Sequence, residues 1–212
     1  MITSEASVPF GRREATEKPE EASYQASHVL APRAILLDVF EAVQARKSVR
    51  AYESQAVPEE VLLKVLEAGR LAPSAVNYQP WHFVVVRDEE KRKAIASSLL
   101  ARFLRECPVV IVGCADRQKS PKWSTVDVAI AMQQMVLTAV DEGLGTCWVG
   151  AFDEENVKGI LKIPDRYSVI ALLAVGYPRE KPGLLDRLFP PRKRKALEEI
   201  TSLDEFGRPL SK

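Results

Sequence analysis

The chain of 212 residues has little histidine and no paired cysteine, and these shortages narrow the chemistry open to it. It contains two histidines, His28 and His82, and its three cysteines, Cys107, Cys114 and Cys147, form no Cys-x-x-Cys pair. A zinc site or a Cys–His nucleophile draws on these residue types. The sequence therefore predicts no metal site, and it predicts free buried thiols in a reducing compartment, the cytoplasm.

Long apolar runs and a strong charge of one sign are missing as well. No run approaches the ~20 residues of a membrane-spanning helix, and the first residues lack the apolar core of a secretory signal. The formal net charge is +1, whereas nucleic-acid-binding domains are usually strongly basic. We therefore expect neither a membrane nor a nucleic acid as a partner.

Residues 1–33 are polar and charged, include Pro9, Pro19 and Pro32, and show no periodicity. This composition is typical of a flexible arm outside a packed core. Two other interpretations stay open, namely that translation starts further along the chain, or that the arm wraps a partner subunit. Residues 34–212 are predicted to form one domain.

Helical and strand patterns alternate irregularly after residue 34. The predicted helices span residues 34–46, 58–72, 88–104, 124–142 and 154–161, with a terminal helix or turn at 193–200. The predicted strands span residues 81–86, 108–115, 146–149 and 169–176. The helix at 124–142 is apolar nearly all round, which is typical of a buried helix. Because two helices precede the first strand, the pattern favours an α+β fold with one sheet sandwiched by helices.

A basic segment, Arg46-Lys47-Ser48-Val49-Arg50, follows the first predicted helix. Basic residues at a helix C-terminus are favoured by the helix dipole, and that alone could explain them. The alternative is a phosphate site, because arginines supply bidentate donors and Ser48 a hydroxyl. In an extended segment Arg46, Ser48 and Arg50 share one side. A second basic cluster at residues 192–195 is either a solvated surface or a contributor to the same phosphate.

A polar turn at residues 73–83 carries Ser74, Asn77 and Gln79 between a helix and a strand. Amide side chains in such a turn often do no more than cap it. They can also pair with a ring carbonyl and a ring N–H, because an amide is a planar donor and acceptor. His82 lies between two aromatic residues of the strand, which favours a structural role.

Glycines cluster at residues 143–152, but the segment follows a helix and lacks the Gly-x-Gly-x-x-Gly spacing of a Rossmann turn. A P-loop motif is also missing from the chain. Gly150 and Ala151 end a predicted strand, and a small residue there lets the backbone approach a flat ligand. Two basic clusters and an amide-bearing turn together favour a site for a phosphate-bearing aromatic cofactor.

These motifs, in this order, resemble the nitroreductase family of FMN-dependent oxidoreductases. The likeness runs over residues 35–202 and rests on the segments 46–52, 73–83, 143–152, 171–176 and 192–199. It implies an α+β flavoprotein with a central mixed, mostly antiparallel sheet sandwiched by helices and a long buried central helix. It also implies a homodimer that holds FMN at the interface between its subunits.

The resemblance implies roles for individual residues. Those implied to bind the FMN phosphate are Arg46, Lys47, Ser48, Arg50, Arg192 and Arg194. Those implied to lie beside the isoalloxazine, from the partner subunit, are Pro73, Ser74 and Ala75, with Asn77 at its polar edge. The backbone of Gly150 and Ala151 is implied to approach flavin N5, where the better-known branch of the family has Glu-Gly. No residue is assigned as a catalytic acid or base.

The chemistry implied by the resemblance has two steps. NAD(P)H passes hydride to flavin N5, and a nitroaromatic, a quinone or a similar small acceptor is then reduced in the same pocket. Other interpretations stay open: a same-fold flavin enzyme that fragments flavin or removes halogen, a non-catalytic flavin-binding protein, and a flavin-free structural dimer in which the basic clusters are solvated.

Overall fold

The computed structural model describes residues 38–181 and 193–210. The predicted arm at residues 1–33 and Arg192 both fall outside the described residues. The α-helices are α1 (Val39–Ala45), α2 (Glu59–Arg70), α3 (Glu89–Ile95), α4 (Ser124–Asp141) and α5 (Glu154–Leu161). The strands are β1 (Trp81–Val86), β2 (Val109–Asp116), β3 (Gly145–Val149) and β4 (Tyr167–Gly176). Short 3₁₀ helices span Ala75–Asn77, Leu99–Arg105 and Leu197–Glu199.

The four strands form one sheet in the order β1-β2-β4-β3, and each neighbouring pair is antiparallel. A parallel bridge between Ser48 and Thr146 adds the first basic segment to the outer edge of β3. Strand β2 is buried along its whole length, as expected for a central strand covered on both faces. The predicted α+β fold with a mixed, mostly antiparallel sheet is confirmed.

Side chains alternate between the two faces of the sheet along each strand, so both faces carry apolar side chains. Helices pack on each of these faces. Ile111 and Leu173 pack with Met132 of α4 on one face. Leu172 packs on the other face with Ile95 of α3 and with residues of α5 and the 3₁₀ helix Leu99–Arg105. The predicted sandwich of helices around one sheet is therefore confirmed.

Helix α4 is the long central helix, with residues such as Val128, Met132 and Met135 fully buried. Gly143 follows it with φ +73°, a conformation that suits glycine and ends the helix as predicted. Val126 and Ile130 lie on the remaining stripe and are exposed in a single chain. The prediction of a buried central helix is confirmed for the faces that meet the sheet and α2.

The prediction of one helix over residues 88–104 is wrong. Asp88 caps α3 as predicted, since its side chain accepts a hydrogen bond from the N–H of Lys91 at 2.8 Å. The helix stops at Ala96, whose φ and ψ are −80° and 55°. Ser98 then starts the 3₁₀ helix by accepting from the N–H of Ala101 at 3.2 Å. Serine bonds to nearby backbone in competition with a continuous helix, which explains the break.

Helix α1 starts at a capping box, in which Asp38 and Glu41 exchange hydrogen bonds of 2.7 and 3.0 Å with each other's backbone N–H. Its apolar residues Val39, Phe40 and Val43 are exposed in the single chain.

Within residues 38–181 and 193–210, none of the helices combines the length and apolar character needed to cross a membrane.

Candidate functional site

A cavity of about 170 Å³ lies beside the end of β3. Residues 147–151 form one wall, and Leu100 and Phe103 of the 3₁₀ helix form another. Arg50 supplies the cationic group in the lining. The cavity therefore brings together Arg50, Gly150 and Ala151, three residues that the sequence placed in one cofactor site from separate motifs.

The first basic segment is held against β3 by its backbone. The N–H of Val49 donates to the carbonyl of Thr146 at 2.9 Å, next to the Ser48–Thr146 bridge. Contact this close requires a glycine at position 145, because a Cβ there would lie 2.7 Å from a methyl carbon of Val49. The alternation expected of an extended segment is present, since Val49 is buried whereas Ser48 is exposed and Arg50 half-buried.

Tyr52 fixes the far end of this segment. Its side chain is almost fully buried, and its hydroxyl donates to the carbonyl of Val49 at 2.6 Å. Its backbone forms an antiparallel bridge with Pro178, just beyond β4. Arg50 is thus carried by a segment anchored on both sides. Of the remaining phosphate candidates, Arg46 is half-buried and Lys47 exposed, and neither lines the cavity.

The turn from Pro73 to Gln79 has an unusual backbone. Val76, Asn77 and Gln79 have φ values of 51°, 56° and 47°, a region that non-glycine residues seldom adopt and that Val disfavours strongly. Ser74 stabilises the turn by accepting from the N–H of Gln79 at 2.9 Å. The side chain of Gln79 donates to Oδ1 of Asn77 at 3.2 Å. The amide of Asn77 is thereby oriented on an exposed surface.

A buried carboxylate outside the turn accepts a hydrogen bond from its backbone. Asp127, in the first turn of α4, is 3% exposed and accepts from the N–H of Ala75 at 3.1 Å. Its second oxygen is buried and has no hydrogen-bond partner among the described residues. A negative charge is favoured near a helix N-terminus, but an unpartnered buried oxygen still costs about 1–3 kcal/mol. Such a cost is typical of functional sites.

The cavity and the turn lie at opposite edges of the sheet and toward the same end of it. The turn leads into Trp81 at the start of edge strand β1, whereas Gly150 follows Val149 at the end of edge strand β3. Two strands lie between, so the edges are about 14 Å apart at the usual strand spacing. Pockets for small ligands usually exceed about 300 Å³, and the cavity beside β3 is smaller than that.

The other predicted site residues are placed as follows. Pro73, Ser74, Ala75 and Asn77 all belong to the strained turn and not to the cavity. Arg194 is exposed in the segment 193–210 and does not line the cavity. Arg192 falls outside the described residues.

A second cavity of about 380 Å³ lies beside the end of α5 and the first residues of β1 and β4, and His82, Lys162, Arg166 and Tyr167 are among its lining residues. Arg166 is already engaged, since its guanidinium lies 4.9 Å from the centre of the Tyr167 ring and its Nε lies 3.8 Å from Asp116. None of the predicted site residues lines this cavity.

All three cysteines are buried free thiols, as predicted. Burial raises the pKa of Cys107 to about 12 and that of Cys114 to about 11. A thiol needs its thiolate form to act as a nucleophile, so neither residue serves as one near neutral pH. Among the residues that the structure describes, none of the His, Cys, Asp and Glu side chains group in a way that could hold a metal ion.

Sequence reasoning missed four residues of this region: Ser98, Leu100, Phe103 and Asp127. Leu100 and Phe103 fall in the predicted continuous helix at 88–104, from which their contact with the cavity could not be predicted. Asp127 lies within the predicted helix at 124–142, and the sequence analysis did not single it out. Ser98 had a usable signal, since serine before an apolar run is a common helix start.

Comparison with known proteins identifies relatives of this chain. The Nitroreductase family model matches residues 43–106 and 98–177. A protein of Methanothermobacter thermautotrophicus, provisionally named NADH dehydrogenase/NAD(P)H nitroreductase, is 37% identical over 74% of this chain and 85% of its own length. A solved FMN-dependent nitroreductase of Clostridium difficile is 30% identical, with a TM-score of 0.67 over 78% of this chain and 98% of its own. The 5,6-dimethylbenzimidazole synthase of Rhodospirillum rubrum is 28% identical over 65% of this chain and 81% of its own length.

Proposed function

The chain belongs to the nitroreductase family, and from that premise we propose that it is an FMN-dependent oxidoreductase that passes electrons from NAD(P)H to a small acceptor such as a nitroaromatic or a quinone. The relatives' names support the cofactor and the donor, since they include an FMN-dependent nitroreductase and an NAD(P)H nitroreductase. The proposal assigns FMN to the cavity beside β3.

The observation that carries the proposal is the convergence of Arg50 with the Gly150–Ala151 backbone in one apolar-walled cavity. A guanidinium suits a phosphate because it donates in a planar, bidentate geometry. A Cβ placed on Gly150 would meet no atom within 4 Å, so the backbone there presents an open surface that a flat ring can approach. The cavity thus offers both kinds of contact that FMN requires.

We propose that the complete site is formed by a homodimer. One chain supplies Arg50 and Gly150, and the strained turn with Asn77 comes from the other chain. The separation of these groups across the sheet supports this arrangement, as does the small volume of the cavity. Arg46, Lys47 and Arg194 would add cationic groups, and Ser48 a hydroxyl, to the binding of the phosphate.

FMN, when bound, supplies two-electron transfer between NAD(P)H and the acceptor in two separate steps. The residues of the chain have other tasks. Leu100 and Phe103 exclude water from one side of the cavity. The backbone of residues 150–151 lines the cavity and would offer N–H donors to the ring. Donors that are oriented before binding are the form in which a protein best stabilises developing negative charge. Among the described residues that line the cavity, none is a carboxylate or a histidine, and the proposal assigns no catalytic acid or base.

The test is an absorbance spectrum of the purified protein after incubation with FMN, followed by anaerobic addition of NADH and, separately, of NADPH. We expect flavin bands that stay with the protein through gel filtration and bleach with at least one of the nucleotides. Absence of flavin bands after incubation would refute the cofactor assignment. Bands that persist with both nucleotides would refute the assigned electron donor and favour a non-catalytic flavin-binding protein.

A second candidate function is favoured by the similarity to 5,6-dimethylbenzimidazole synthase. In that case the bound flavin is itself consumed. The two functions separate when air is admitted after reduction, because an oxidoreductase recovers its flavin bands whereas a flavin-consuming enzyme loses them permanently. We expect recovery of the bands.

A further inference from the structure

Ser98 connects the two walls of the cavity beside β3 through one hydroxyl group. It lies between α3 and the 3₁₀ helix Leu99–Arg105, and its Oγ accepts from the N–H of Ala101 at 3.2 Å. The same hydroxyl donates to the carbonyl of Ala151 at 2.7 Å, across 53 positions of sequence. A serine hydroxyl has a single hydrogen to donate, so the bond to Ala151 uses it.

The two partners of Ser98 belong to different structural elements. Ala101 is part of the 3₁₀ helix that contributes Leu100 and Phe103 to the cavity. Ala151 follows β3, beyond the last β3–β4 pair at Val149 and Leu172, and is exposed. The sheet therefore does not fix the segment after Val149 by ladder pairing. The Ser98 hydroxyl supplies a constraint on this segment instead.

Fixing the Ala151 carbonyl also fixes an N–H group. In a trans peptide the C=O and N–H point in opposite directions, so the bond to Ser98 sets the orientation of the N–H of Phe152. We propose that Ser98 is a positioning residue of the flavin site, which restrains the backbone of Gly150 and Ala151 at the cavity by holding the Ala151 carbonyl. This inference rests on the proposed function, because it concerns the same cavity.

Four variants separate positioning from a loss of helix capping. Ser98→Thr keeps both the donor and the acceptor. Ser98→Asp keeps an acceptor for the N–H of Ala101 but has no hydrogen to donate to Ala151. Ser98→Ala removes both. Asp88→Ala removes the comparable cap of α3, where Asp88 accepts from Lys91 at 2.8 Å, without touching the cavity.

The measurements are the FMN dissociation constant, the midpoint potential of bound FMN, and the thermal midpoint of the protein. A net hydrogen bond corresponds to roughly a three- to tenfold change in an equilibrium constant. We expect Ser98→Ala and Ser98→Asp to weaken FMN binding by about that factor and to shift the midpoint potential. Ser98→Thr should match the wild type, and Asp88→Ala should lower only the thermal midpoint.

The inference is overturned if Ser98→Ala keeps the wild-type dissociation constant and potential, or if Asp88→Ala changes them equally. Amide hydrogen exchange of residues 149–153 without FMN tests the constraint by itself. Faster exchange in Ser98→Ala than in Ser98→Thr is expected, and equal exchange would contradict it. A wild-type protein that binds no FMN would refute the proposed function, whereas the exchange result would still decide whether Ser98 constrains this segment.

Discussion

Asp127 and Ala75 are joined by a hydrogen bond of 3.1 Å from the backbone N–H of Ala75 to a carboxylate oxygen of Asp127. The bond links the first turn of the central helix to a turn that contains three residues with positive φ. Val76, the most strained of these because it is β-branched, is 83% exposed and gains little from packing. The conformation of the turn therefore depends on hydrogen bonds, of which the one to Asp127 reaches outside the turn.

Replacement of Asp127 tests this dependence. Asp127→Ala is expected to lower the free energy of unfolding, because the part-buried N–H of Ala75 loses its acceptor. Loss of that bond costs about 1–3 kcal/mol, and removal of the unpartnered second oxygen offsets part of this cost. It should also weaken FMN binding through the displaced turn. Asp127→Asn retains an acceptor oxygen and should recover part of both losses. Urea denaturation and flavin titration of the two variants provide the check, and an alanine variant as stable as the wild type would contradict it.

Gly145→Ala is expected to detach the first basic segment from β3. The new Cβ would lie 2.7 to 3.0 Å from three carbon atoms of Val49, closer than atoms of a packed core can approach. The hydrogen bond from Val49 to Thr146 should lengthen or break, and Arg50 should move with it. We expect a lower melting temperature together with weaker FMN binding. Retention of both values would show that the segment adapts without loss.

Gly150→Ala, unlike Gly145→Ala, is expected to leave the stability of the protein unchanged. Its Cβ would meet no atom within 4 Å, so the melting temperature should stay unchanged while FMN affinity falls, because the methyl group occupies the surface assigned to the ring. Gly159→Ala is the matched control, since its Cβ also meets open space but lies on α5. It should leave FMN affinity unchanged. Equal affinities in the two variants would remove Gly150 from the flavin site.

Arg50 is expected to contribute most among the arginines of the phosphate proposal, because it lines the cavity. A charge-assisted hydrogen bond contributes about 1.5–3 kcal/mol, so Arg50→Ala should weaken FMN binding at least about tenfold. Arg46→Ala and Arg194→Ala should have smaller effects. Arg70→Ala is a control, because Arg70 pairs with Glu67 at 2.6 Å on the surface. A larger loss in Arg194→Ala than in Arg50→Ala would place the phosphate elsewhere.

Cys107 should make the stability of the protein fall at alkaline pH. Burial raises its pKa in the folded state from 9.0 to about 12. The folded protein therefore holds the thiol proton more tightly than the unfolded chain, and the stability from this difference is present below pH 9 and lost as the pH rises toward 12. Urea midpoints measured between pH 8 and 11 should fall less steeply in Cys107→Ala. Parallel slopes would contradict the shifted pKa.

The periodicity of the chain predicted most of the fold, because its strongest signals coincide with burial. Residues 81–86 were predicted as a strand and form β1 with the same bounds. The helix predicted at 124–142 differs from α4 by one residue. The error at 88–104 has a local cause, since the serines at 97 and 98 interrupt a pattern that otherwise continues as a helix.

The candidate site was less accessible to sequence reasoning, because its contacts join residues far apart in the chain. The basic motif and the glycines at 145 and 150 were visible as motifs, but their meeting at β3 depends on a parallel bridge that no short pattern predicts. The role of Asp127 depends on the packing of α4 beneath the turn. The hydrogen bonds to Ala75 and Ala151 span 52 and 53 positions of sequence. Contacts at such separations produce no periodic pattern of residues.

The bridge between Ser48 and Thr146 also places the first basic segment along an edge of the sheet. Strand β3 is an edge of the sheet, and unprotected edge strands invite pairing with strands of other molecules. The segment that carries Arg50 covers this edge, so one stretch of backbone both shields the sheet and presents the cation. A variant in which this segment is detached, such as Gly145→Ala, should therefore expose the edge of β3 and be more prone to self-association than the wild type.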